Sequence, residues 1–433
     1  MTPLANWSEI SAALCFLLIL LVPFAGAGLA LINAGLGRSR SAAHAMLASL
    51  CVVSVAAIVY WIVGFSWQGV AGHPGRVFLV GDRPWSWIGA EPLFLRGLRL
   101  DFSPTSLIFL LQTFGVTLAA LIPLSSGSDR WRLGAACAST ALLSGWTYPL
   151  FAHWVWAGGW LAQLGPSYGL GRGFIDAGGS STIQVVGGLT ALSITWILGP
   201  RRGKFSAEGM PAALPGHNIV LVFLGCLLAW AGWIGLNSAG AILFAGVEPS
   251  SCVLVAVNTT LAASASGLTT VVVTRMRFGR PDASLSANGW IAGLVATSAA
   301  APFLKPAAAI IVGGIAGILV PLAADLLEFG LLIDDPGGAV SVHAVCGLWG
   351  VVAVALLSNA GGQTARQWLA QILGIATLLG FILPLTYSLN WLLNRVYRQR
   401  VSREAELQGM DLSELGAGAY PEFDIHGDDF LPR

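Results

Sequence analysis

Charge is scarce in this sequence. Only 10% of the 433 residues are Asp, Glu, Lys or Arg, against roughly 25% in a soluble globular domain, so water is not the solvent for most of the chain. A net charge of +1 leaves no basic excess for a nucleic-acid partner. Cysteine is sparse as well. The six residues (15, 51, 137, 226, 252 and 346) show no CxxC spacing and sit mostly inside apolar runs. That excludes a disulfide framework and reads as buried small hydrophobes. No metal-ligand cluster, nucleophile triad or phosphate loop stands out, so the sequence offers no enzyme chemistry, cofactor or metal site. The first apolar run, from near Ile10 and containing Pro23, lacks a basic leader and a clear small-residue cleavage site. It reads as a retained first helix rather than a signal peptide.

Apolar residues are what the chain has in abundance. They make up 55% of it, with a mean hydropathy of +0.75. A bilayer crossing takes roughly 20 of them in a helix. Runs of that kind are expected at 10–34, 43–66, 105–125, 134–153, 176–198, 217–240, 251–273, 284–302, 306–326, 337–358 and 367–394. The fold class is therefore all-α integral membrane, with eleven transmembrane helices. The 54 Gly residues suit close helix approach in lipid, and many of the 17 Trp flank apolar runs as interfacial anchors do. Arg38, Arg40, Arg130, Arg132, Arg201, Arg202, Lys204, Arg275, Arg277 and Arg280 fall in one set of alternate loops, joined by Arg395, Arg398 and Arg400. The positive-inside rule then puts the N-terminus outside and the C-terminus in the cytoplasm. Segment 67–104 reads as an ordered external loop. Residues 1–394 form one membrane domain and 395–433 a cytoplasmic tail.

The sequence also repeats itself. Span five begins Asp176-Ala-Gly-Gly-Ser-Ser-Thr-Ile-Gln184-Val-Val-Gly-Gly-Leu189. Span ten begins Asp335-Pro-Gly-Gly-Ala-Val-Ser-Val-His343-Ala-Val-Cys-Gly-Leu348. Span five runs inward and span ten outward, so the copies are antiparallel, which makes an inverted five-helix repeat (about 10–198 and 217–358) followed by a last helix. Gln184 and His343 each lie about 12 Å along the helix from the Asp end, near the middle of a core about 30 Å thick. Polar residues at that depth face a bundle interior or a pathway. The pair is either a pathway element or a hydrogen bond holding two helices together.

Further motifs carry a family resemblance. They are Gly28-Leu-Ala-Leu-Ile-Asn-Ala-Gly-Leu-Gly-Arg38, His153-Trp-Val-Trp156-Ala-Gly-Gly159, Pro215-Gly-His-Asn218, Gly232-Trp-Ile-Gly-Leu-Asn237, Asn258-Thr-Thr260 and Asp334-Asp-Pro336. The tail adds Gly409-Met-Asp-Leu-Ser-Glu-Leu-Gly416 and Ala419-Tyr-Pro-Glu-Phe423. In order and spacing the chain resembles the ammonium transporter family (Amt/Mep/Rh). The resemblance implies a homotrimer in the plasma membrane with one pore per protomer for ammonium or ammonia, and a tail that answers to PII-type signal proteins. It implies that Trp156 binds ammonium on its indole face, a cation–π contact, with interfacial anchoring as the plainer reading. It places Asp176 near that site, where a helix N-cap is an equal alternative, and makes His343 the second pore histidine.

Several positions depart from the family pattern. Gln184 stands where the first pore histidine should be, and an amide cannot titrate. At the gate, Leu236 and Gly115 replace aromatic residues, with Phe114 one position away, and Gly240 replaces a hydroxyl. These changes are expected to widen the entrance and weaken cation binding. His153 reads as a packing residue and His217 as the start of span six; Leu415 replaces the histidine of the tail motif. Transport is the leading function. A low-flux sensor or regulatory protein, or an Rh-like neutral gas channel, are the alternatives.

Overall fold

The computed structural model describes residues 7–70, 75–360 and 364–420. Eleven helices of 15 residues or more follow in the expected order. They are α1 (Glu9–Leu36), α2 (Ser39–Gln68), α3 (Pro104–Ser126), α4 (133–156), α5 (Ser180–Leu198), α6 (Ile219–Ala245), α7 (Pro249–Phe278), α8 (Ala283–Thr297), α9 (Pro306–Gly330), α10 (Val340–Leu357) and α11 (Ala365–Val396). Among the described residues nine of them are long and apolar enough to cross a membrane. The other two are α8, short of a full crossing at 15 residues, and α4, which carries Ser139, Thr140, Ser144, Thr147 and His153. The starts are set by local chemistry. The side chains of Ser8, Ser103, Asn218, Asp282 and Thr364 each accept an N–H from the first turn of α1, α3, α6, α8 and α11, groups that have no partner inside the helix.

α1 and α6 lie antiparallel, and small residues bring them together. A Cβ on Gly28 would meet Gly225 O at 2.5 Å and Ala229 N at 2.6 Å, and one on Gly35 would meet Asn218 O at 2.6 Å. In lipid such dispersion contact substitutes for hydrophobic drive. Outward-facing positions are apolar, among them Leu17, Phe223, Leu227, Leu268, Ile311 and Leu369. The cysteines behave as expected: all six are free, and 15, 226 and 346 are buried.

Among the described residues, two strands interrupt the helices. Segment 67–104, expected only as an ordered loop, contains an antiparallel hairpin, β1 (Arg76–Val80) with β2 (Arg83–Ile88). Trp85 stacks on Trp160 at 4.5 Å, and Trp154 Nε1 donates to Trp87 O at 2.7 Å. His153 has the packing role read from sequence: it is buried, with Nδ1 2.7 Å from Gln68 O and Nε2 3.0 Å from Ser86 Oγ, and so ties α4 to the hairpin.

The opposite face carries the tail and a buried ion cluster. Arg201 grips Asp334 through both carboxylate oxygens, at 2.9 and 3.0 Å, and reaches Asp129 at 3.3 Å. The fully buried Arg130 donates to Asp334 O and Gly199 O. Burial pushes the Asp334 carboxyl up, but the Arg130 and Arg201 guanidiniums outweigh it and hold it below its usual range. Burial also lowers Arg130, to about 10. In the tail, Asp411 accepts the N–H groups of Ala43 and His44, Glu414 accepts that of Leu133, and Arg400 donates to Leu198 O and Pro200 O. The tail thus caps α2, α4 and α5. Leu415 closes the turn Asp411–Leu415. His217 precedes α6 as expected, with Nδ1 3.1 Å from Gly37 O. Pro421-Glu-Phe423 of the tail motif, and the chain start before Trp7, lie outside the described residues.

Candidate functional site: a vestibule above a buried polar pair

The repeated D-x-G-G motif builds two helix starts. Asp176 Oδ1 accepts Gly179 N at 2.8 Å. Its Oδ2 accepts Ser181 N and Thr182 N, both at 2.9 Å, and the hydroxyls of Ser181 and Thr182. Asp335 accepts Ala339 N, Val340 N and Ser126 Oγ. The second Gly of each motif sits at positive φ, +95° at Gly179 and +74° at Gly338, where a side chain is strained. Both helices then open with a π-turn, Ser180–Val185 and Val340–Val345. Such wide turns are frequent at functional positions.

Each π-turn carries one residue of the polar pair. Gln184 and His343 are buried, and His343 Nδ1 lies 2.7 Å from Gln184 Oε1. The carbonyl oxygen can only accept, so Nδ1 carries the proton and Nε2 is left as an acceptor. Gln184 Nε2 is buried without a hydrogen-bond partner among the described residues. The surrounding contacts are mirrored. A Cβ on Gly188 would collide with Ala344 N, and one on Gly347, its counterpart, would meet Val185 Cγ2 at 2.7 Å. Two glycines therefore let α5 and α10 cross closely enough for the side chains to meet.

On the hairpin face a vestibule of about 450 Å³ is lined by Ile108, Trp156, Arg172, Asp176, Phe244 and Phe303, among others. Trp156 is buried, and its Nε1 donates to Asp176 O at 2.6 Å. Phe244 stacks on the indole at 4.3 Å and 9°. One indole face is thereby covered, leaving at most the other for a cation. The carboxylate of Asp176 is engaged by its five donors, so the cap reading of this residue is the one its contacts display.

A second, small cavity of about 10 Å³ adjoins Trp156 and Phe244 and is lined also by Leu111, Gln112, Gly115, Gly178, Ile183, Leu236 and Gly240. This corrects the expectation of a widened entrance. The place a side chain on Gly115 would take is filled: its Cβ would meet Tyr148 Oη at 2.7 Å and Ile183 Cδ1 at 3.3 Å. Tyr148 is held there by donating to Gln112 Oε1. At Gly240 a Cβ would run into Ala177 O, so this glycine allows close approach and opens no space. Phe114 is half-buried on α3 and lines neither cavity.

The sequence reading missed Phe244, Tyr148 and Arg172. Two had a signal: Phe244 is one helical turn past Gly240, and Tyr148 two turns before Trp156, on the same faces. Arg172, in a loop, had none.

The comparisons agree with this architecture. The model of the Ammonium Transporter Family matches residues 13–420. The chain is 33% identical over 426 residues to ammonium transporter Amt2 of Archaeoglobus fulgidus, covering 93% of this chain and 86% of that one. It is 32% identical to ammonium transporter 1 member 2 of Oryza sativa, over 92% and 82%. Among solved structures it superposes on a Sensor Amt Protein with a TM-score of 0.84 at 27% identity, over 94% and 98% of the two chains. Candida albicans Mep2 shares the fold at a TM-score of 0.81 and 24% identity, over 97% and 93%. With its eleven helices, mirrored crossing and matched motifs, this multi-pass membrane protein belongs to the ammonium transporter family.

Proposed function

We propose that the chain carries ammonium or ammonia across the plasma membrane through a pore within each protomer. Residues 1–394 form the membrane domain, and the tail from residue 395 lies in the cytoplasm. Ammonium docks in the vestibule beside Trp156 and Phe244, above Asp176, and gives a proton to water in the vestibule as it enters the constriction at Leu236, Gly115 and Gly240. Burial disfavours the charged form of an amine, so the narrow dry passage favours ammonia. Ammonia accepts one hydrogen bond and donates up to three; it can accept one from Gln184 Nε2 and donate one to His343 Nε2. Ammonium has no lone pair and cannot accept. The single observation that carries this reading is the Gln184–His343 hydrogen bond where the two halves cross. With one titratable partner the pair lacks a histidine-to-histidine relay, which favours weakly coupled flux. By family likeness the assembly is a homotrimer, and a PII-type protein is a candidate partner at the tail face.

The test is an ammonium jump on the reconstituted protein adsorbed to a solid-supported membrane. His343→Leu is expected to abolish transport, and Gln184→His to raise the coupled current. A Gln184→His current equal to that of the parent would sink the relay argument. The second reading is sensing with little flux, favoured by Gln184 at a histidine position and by the likeness to a Sensor Amt Protein. It predicts neither current nor ammonia-driven pH change in liposomes.

A further inference from the structure

Arg172 lies at the vestibule, apart from the Trp156–Phe244 stack and the Asp176 cap. It is exposed and lines the cavity. Its Nη1 donates to Ala360 O at 3.0 Å, its backbone N–H to Gln367 Oε1 at 3.0 Å, and its guanidinium lies 5.5 Å over the Phe303 ring. The side chain is therefore held from two sides in one position. Among the described residues no carboxylate forms an ion pair with it. Asp176 is the other charged lining residue, but it is buried and its oxygens face the α5 cap. Glu248 and Lys305 are on adjoining loops and do not line the cavity. Arg172 is thus the exposed charge among the lining residues.

We propose that Arg172 tunes cation entry to the vestibule, a fixed positive charge that slows, without preventing, the approach of ammonium to its docking place beside Trp156. The proposal rests on the reading that this vestibule is the substrate mouth. Its signature is the sign of the salt dependence. Attraction weakens with salt; repulsion is relieved by it. Raising ionic strength from about 0.01 to about 0.15 M shortens the screening length from about 30 to about 8 Å.

The experiment measures initial methylammonium uptake into liposomes holding the full chain, across that range of salt. In the parent the rate is expected to rise with salt, by roughly ten-fold or less, since one charge works at the low end of steering effects. Arg172→Lys keeps the slope, Arg172→Gln flattens it and Arg172→Glu reverses it. Equal slopes in the parent and in the Gln and Glu variants would overturn the proposal. If neither methylammonium nor ammonia crosses in any variant, the transport reading falls. The filter is then read by calorimetric titration of ammonium onto the full chain in low salt, where affinity should rise from parent to Gln to Glu. Equal affinities would dismiss the filter independently.

Discussion

At the start of α5 one carboxylate gathers five donors; at the start of α10 its counterpart gathers three. The two caps occupy equivalent places in the repeat, each eight residues before its member of the Gln184–His343 pair, yet their surroundings differ. Asp176 lies beneath an open vestibule, and its main-chain carbonyl holds Trp156. Asp335 follows Asp334, which is locked into the Arg130–Arg201 cluster. The comparison teaches that the repeat is a scaffold. It fixes where two helices begin and cross, and each half then carries its own chemistry, an amide in one and an imidazole in the other.

The sharpest way to break the comparison is to remove each cap. Asp176→Ala leaves three N–H groups and two hydroxyls without their acceptor and is expected to cost about 4 kcal/mol; Asp335→Ala should cost about 2 kcal/mol, at one to three per buried group and less than additively. Thermal unfolding in detergent reads the difference, and equal losses would mean that the caps are equivalent after all.

The adjacent aspartates of the α10 cap should separate by pH. Asp334 has a lowered folded pKa, so its stabilisation is full above the unfolded value near 3.9 and is lost as pH falls through the lower folded value. Asp334→Asn is expected to cost about 3 kcal/mol at neutral pH, as breaking a buried pair does, and to differ little from the parent in strong acid. Asp335 is shifted the other way, pushed up mainly by burial against the pull of Ser126 and Val340 N–H. Its stabilisation is present at low pH and fades as pH rises through the folded value, so Asp335→Asn should be near neutral at pH 7. Melting curves of both variants at neutral and acid pH check the pair of signs.

The smallest contrast lies at the crossing. Gly188→Ala pushes on the backbone of Ala344, whereas Gly347→Ala meets the Val185 side chain and Ser180 O at 2.7 Å. Overpacking of about 2 kcal/mol is expected at Gly188, where the nearest backbone atom is at 2.4 Å, and about 1 kcal/mol at Gly347, where the backbone contact is looser and the Val185 side chain can yield. Comparable melting shifts would show that the helices slide apart equally at both positions.

Much of the fold was legible because lipid makes a simple demand. Each helix had to announce itself as an apolar run, and the ends shifted by a few residues only, as with α5, where 176–179 form the cap and the helix begins at Ser180. The hairpin was not legible: Arg76-Val-Phe-Leu-Val80 has no alternation, since its side chains are exposed on both faces. At the site, the meeting of Gln184 with His343 followed from the repeat's arithmetic. The width of the entrance did not, because an absent side chain at Gly115 says nothing about which neighbour fills its place.

Composition and spacing along the chain were enough to read the membrane as solvent, the order of the helices, the repeated motif and the two polar residues at matching depth. Each of these is a periodic or positional property that survives projection onto one dimension. It took the packed helices to set Tyr148 and Ile183 beside Gly115, to lay Phe244 over one face of Trp156 and to stand Arg172 at the vestibule. Those are meetings between side chains far apart in sequence, and close packing of helices, not local propensity, selects them.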